Sequence, residues 1–128
     1  MARTKAYWTD QQDPGDYQAA EEFLCFTTEP TDAREIVDRM RGAPVVYRLP
    51  ADVLRVAALS VLGEDSIHIV KVLDQVRRNR LLTPVLIVRG GGGIAIADGY
   101  FRICAGIYLN EPALIPCRMV SRDPPAAP

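Results

Sequence analysis

Chemistry in this chain is concentrated at five consecutive residues, Asp98-Gly99-Tyr100-Phe101-Arg102. The apolar run Ile94-Ala95-Ile96-Ala97 precedes them, and a helical pattern from Tyr100 to Asn110 follows, so a strand turns directly into a helix. The N-terminus of a helix presents unpaired backbone N–H groups and about half a positive elementary charge. Gly99 lets a ligand approach the backbone without meeting a Cβ, and Arg102 adds a permanent guanidinium one turn in. Together these residues describe a phosphate seat. The carboxylate of Asp98 could bind Mg²⁺ or orient an acceptor hydroxyl beside it. The same residues also allow a plain structural reading, with Asp98 as an N-cap and Gly99 as a turn residue.

The elements around the junction read clearly. Pro84 to Val88 is a short β-branched apolar run bounded by Pro and Gly, a buried strand signal. Gly90 to Gly93 can serve any positive-φ turn, and Leu114 to Val120 returns to a strand. Upstream, Val45 to Arg48 predicts a strand, and Pro50 opens a helix expected to run from Ala51 to about Leu62 and to close at Gly63. Asp65 or Ser66 starts a further helix through Asn79, with Ile69, Leu73 and Val76 inward and Arg77, Arg78 and Arg80 near its end. Those arginines complement the helix dipole or face a polyanion. His68 reads as a surface or half-buried side chain. Met1 to Gly15 reads as a loosely ordered lead anchored by Tyr7 and Trp8. Asp16 is expected to cap a helix from Tyr17 to about Phe26, with Tyr17, Ala20 and Leu24 on one face. Asp32 and Glu35 suggest a capping box for a second helix, with Ala33, Ile36, Val37 and Met40 inward.

The order of these pieces resembles the ParB/sulfiredoxin superfamily. The residues that carry the likeness are Pro84 to Arg89, Ile96 to Ala105 and Ile115 to Val120. With the helices before them, the likeness covers about residues 43–120. It implies an α+β fold, a small mixed sheet with flanking helices. Residues 1–42 then form an N-terminal two-helix extension and residues 121–128 a disordered tail. The resemblance also implies that the glycine–x–x–arginine turn holds nucleotide phosphates, which assigns Gly99, Tyr100, Phe101 and Arg102 to phosphate or nucleotide binding. Asp98 becomes the catalytic candidate.

Departures from the family narrow the function. Sulfiredoxins carry a nucleophilic cysteine directly after the turn glycine, where this chain has Tyr100, and Cys104 lies past Arg102. Chromosome-partition members continue into a helix-turn-helix region, and this chain ends a few residues after its last predicted strand. Small-molecule kinases of the superfamily use an Asp-Gly-His-x-Arg turn, which Asp98, Gly99 and Arg102 match in part. The leading reading is a nucleotide- or phosphate-binding module. The alternatives are a phosphotransferase using a nucleoside di- or triphosphate with Mg²⁺, and a non-catalytic protein-interaction domain with a degenerate pocket. For the kinase a second carboxylate is needed, and Glu64, Asp65 and Asp74 are the candidates.

Composition bounds these readings. The 128 residues suit one domain, and a net charge of −1 provides no general field for DNA or an anionic membrane. Sequence-specific DNA binding is not expected. Of the 15 Lys+Arg only Lys5 and Lys71 are lysines. Cys25, Cys104 and Cys117 have no metal-ligand spacing and read as buried thiols of a reducing compartment. No stretch approaches the ~20 apolar residues of a membrane span, and the expectation is a cytoplasmic protein. The two N-terminal helices are expected to pack on the core or to offer a homodimer or partner surface.

Overall fold

The computed structural model describes residues 7–110 and 113–123. Five helices and four strands follow in the order α1 (Pro14–Leu24), α2 (Pro30–Gly42), β1 (Val45–Arg48), α3 (Pro50–Val56), α4 (Ile67–Arg77), β2 (Val85–Gly90), β3 (Gly93–Asp98), α5 (Tyr100–Asn110) and β4 (Ile115–Ser121). The class is α+β. The strands form one mixed sheet in the order β1-β4-β2-β3. β2 runs parallel to β4, and the other two pairs are antiparallel.

β2 is apolar at every position from Val85 to Val88 because it is buried on both faces. Val85 and Ile87 point to one side, where Ile96, Ile115 and Cys117 join Val53, Leu54, Ile69, Leu73, Ile103 and Trp8. Leu86 and Val88 point to the other, where Ala97 and Val120 meet Ala20, Leu24, Ile36, Val37 and Met40. The sheet is therefore sandwiched, with α1 and α2 on one face and α3, α4 and α5 on the other. Burial of Tyr17, Ala20 and Leu24, and of Ala33, Ile36, Val37 and Met40, follows the predicted helical faces.

Several boundaries differ from expectation, each for a local reason. Asp13, not Asp16, caps α1: its Oδ1 accepts the Gly15 N–H at 2.9 Å, and Pro14 takes the first helical position. α2 begins at Pro30 without a side-chain cap, so the capping box from Asp32 is not formed. α3 ends at Val56 rather than Leu62. Ala58 adopts φ 58°, with Leu59 N–H bonded to Leu54 O and Ala58 N–H to Arg55 O. This is a Schellman closure with alanine at the left-handed position. The same closure ends α4, where Asn79 has φ 64° and Arg80 N–H reaches Gln75 O.

The segment before α1 is held in place from Tyr7 onward, contrary to the loose lead expected. Trp8 is buried, and Tyr7 and Thr9 exchange backbone hydrogen bonds with Leu82. Ser121 belongs to β4 rather than to a tail, and Arg122 N–H still bonds Arg89 O. The rest of the expected tail, residues 124–128, lies outside the described residues, as do residues 1–6 of the lead.

Candidate functional site

Two features of β3 aim its last residue. At one end Gly91 and Gly92, with φ 63° and 80°, make a two-residue turn between Gly90 and Gly93, which pairs β3 tightly with β2. At the other end the register shifts. Leu86 faces Asp98 while Ile87 faces Ile96, leaving Ala97 as an extra residue in a bulge. Asp98 thus sits at the sheet's end, one residue before α5. Gly99 has φ 110°, a conformation that side chains rarely adopt. A Cβ there would come within 3.0 Å of both Arg102 Nη2 and Val85 Cγ2.

The first α-helical bond of α5 runs from Ile103 N–H to Gly99 O. The amides of Tyr100, Phe101 and Arg102 precede that bond and have no partner within the helix. Residues Gly99 to Arg102 also line a groove of about 420 Å³, together with Phe23 of α1, Val72 and Gln75 of α4 and the end of β3. Sequence-predicted Asp98, Gly99, Tyr100, Phe101 and Arg102 therefore share one depression.

Arg102 is held from inside the protein. Its Nε donates to Thr83 O at 3.0 Å, and Nη2 donates to Pro84 O and Asp98 Oδ2, each at 3.0 Å. Nη2 also lies 3.7 Å from Asp16 Oδ2. Its Nη1 takes part in none of these contacts. The guanidinium ties the start of β2, the end of β3 and the first turn of α1 together, with only 17% of the side chain exposed. It positions the junction first, and Nη1 is what remains for a ligand.

The second carboxylate of the site is Asp16, not Glu64, Asp65 or Asp74. Asp16 Oδ2 accepts Thr83 Oγ1–H at 2.5 Å and Gln12 Nε2–H at 2.8 Å. Glu64 and Asp65 are exposed, and Asp74 pairs with Arg78 at 3.2 Å on the surface. Because Asp13 caps α1, the Asp16 side chain is free to turn inward. Burial lifts the Asp98 pKa above its usual value; Arg102 opposes this, while the nearby Asp16 adds to it. The guanidinium of Arg102 fills the cationic position between the two aspartates. The pair does not fit an open Mg²⁺ seat, and among the described residues no three His, Cys, Asp or Glu side chains converge on a metal position.

Both aromatics of the junction are engaged. Tyr100 Oη donates to Ser60 O at 2.5 Å, and the Phe101 ring stacks on His68 at 4.3 Å with an interplanar angle of 2°. His68 stands exposed on α4, as expected for a surface side chain, but the stack was not legible from spacing alone. Phe101 keeps 39% of its surface exposed and Phe23 44%, so the groove has two accessible aromatic walls. Phe23 and Asp16 both come from α1, in the part of the chain expected to be an extension. Cys104 and Cys117 are fully buried, and burial pushes the Cys117 thiol up to about 12. Cys25 corrects the expectation for thiols. It is exposed at the end of α1 beside Phe26, which is 88% exposed.

No protein-family model, no curated protein and no solved structure matches the chain. Among the described residues no helix is long and apolar enough to cross a membrane.

Proposed function

We propose that the protein is a nucleotide- or phosphate-binding module of the ParB/sulfiredoxin kind. In this reading a phosphate sits on the backbone amides of Tyr100, Phe101 and Arg102, with Arg102 Nη1 beside it. The observation that carries the reading is the groove itself: the first turn of α5, whose amides have no partner within the helix, lines a depression that Phe23 and Phe101 also line. Phe23 and Phe101 offer apolar faces on which a base can stack. The reading is one of binding. Asp98 is bonded to Arg102 and faces Asp16, which leaves it poorly placed to hold a metal-bridged phosphate.

The test is a thermal melt with each common nucleotide at millimolar concentration, in the wild type, in Phe101→Glu and in Phe26→Glu. A carboxylate at position 101 favours the helix dipole yet repels a phosphate. The melting temperature should rise with at least one nucleotide in the wild type and in Phe26→Glu, by mass action, and not in Phe101→Glu. No shift with any nucleotide overturns the reading. Nucleotide turnover that Asp98→Asn abolishes would replace it with the phosphotransferase.

One observation favours a second reading, a protein-contact domain. Val56, Leu59, Val61, Ile67 and Val70 are all 44–65% exposed on the stretch from the end of α3 into α4.

A further inference from the structure

We infer that the groove takes up a proton together with its anion, at the carboxyl pair Asp16–Asp98, so that anion affinity rises as the medium becomes more acid. The inference rests on the anion-binding reading above. Its basis is a charge count in a partly closed space. Asp16 and Asp98 are 15% and 17% exposed and share one guanidinium, which lies 3.7 Å from the first and 3.0 Å from the second. One cation cannot neutralise two carboxylates, so with both ionised the cluster is net negative beside the amides that would receive the anion.

The two acids are not equivalent. Asp16 accepts hydrogen bonds from the Thr83 hydroxyl at 2.5 Å and from the Gln12 amide at 2.8 Å. Among the described residues Asp98 has one side-chain donor, Arg102. The proton therefore goes to Asp98, and the raised pKa of that group, caused first by burial and opposed by Arg102, agrees. Among the described residues, Arg118 of β4 is engaged by Gln12 Oε1 at 3.0 Å and by Ala43 O, and Asp74 of α4 is turned to Arg78. β2 contributes apolar Val85 and Leu86.

An anion on the amides of α5 disfavours ionised Asp98 further. Binding and protonation are then reciprocally linked, and affinity changes by at most about tenfold per pH unit while one proton is exchanged. The test has two arms. In the ligand-free protein, carbon-13 NMR of the side-chain carboxyls should show Asp98 titrating above an ordinary aspartate, and Asp16→Asn should bring it down. Asp98 titrating at or below the ordinary range overturns the inference and leaves the binding reading intact. In the second arm the probe is inorganic sulfate, whose charge is constant across the range. Sulfate should bind the wild type more tightly at mildly acid than at neutral pH, and Asp98→Asn with no such dependence. Equal wild-type binding at both pH values overturns the inference alone. No binding of sulfate or nucleotide at any pH overturns both. If Asp98→Asn does not fold, a reduced pH dependence in Asp16→Asn is the required result.

Discussion

The two helical layers of this molecule read differently in the sequence. On one face of the sheet, α3, α4 and α5 lie in residues 43–120, which the sequence marks as the body of the domain. On the other, α1 and α2 do not, and the sequence suggests an extension. The sheet makes no such distinction. Ile87 is buried by the first layer and its neighbour Leu86 by the second, both with no exposed surface. The N-terminal layer also reaches the site, since Asp16 meets Arg102 and Phe23 lines the groove. The boundary expected near residue 42 is therefore a boundary neither of the core nor of the groove.

The largest effect that tests this equivalence is removal of residues 1–42. It would expose Leu86, Val88, Ala97 and Val120 at once, and the remainder should fail to give a cooperative melt. A well-folded 43–128 fragment would show that α1 and α2 are an appendage after all. Next come Leu86→Ala and Ile87→Ala, each of which should cost about 2–5 kcal/mol in urea unfolding. A much smaller cost for Leu86 would mark its layer as loosely attached. Arg102→Ala follows, at about 3 kcal/mol, because it leaves two partly buried carboxylates without their shared cation. That loss should be present without any ligand, as a positioning role requires.

Smaller effects sharpen the contrast. Asp98 is easier to protonate in the folded protein than its ordinary pKa of 3.8 implies, so the native state binds more protons than the unfolded chain above that value. Its contribution to stability is complete below the ordinary pKa and is lost as pH rises through the raised one. Asp98→Asn should flatten that part of the stability profile. Thiol labelling of the native protein should modify Cys25 fast and Cys104 and Cys117 slowly, since only the first is exposed.

Much of this was legible in the sequence. The strand–turn–strand–helix–strand succession from Val85 to Ser121 follows from apolar runs, a glycine turn and one Asp-Gly junction. The inward faces of α1, α2 and α4 follow from helical spacing. What escaped was of two kinds. Ala58 carries no glycine signal, yet a Schellman closure stops α3 there. Asp16 reads locally as a cap, and only the cap at Asp13 and the tertiary position of α1 turn it toward Arg102. The role of Arg102 escaped for the same reason, because its acceptors at Thr83 and Pro84 and its ion-pair partner Asp16 are distant in the chain.

The proposed function depends on whether a phosphate occupies the amide end of α5. Proton–nitrogen correlation NMR of the uniformly labelled protein, titrated with nucleotide, reads those amides one by one. A phosphate on that turn should give saturable shifts at the amides of Tyr100, Phe101 and Arg102, while the Arg102 Nε–H signal stays in place on Thr83 O. Shifts confined to other regions, or none at these three amides at saturating nucleotide, would contradict it.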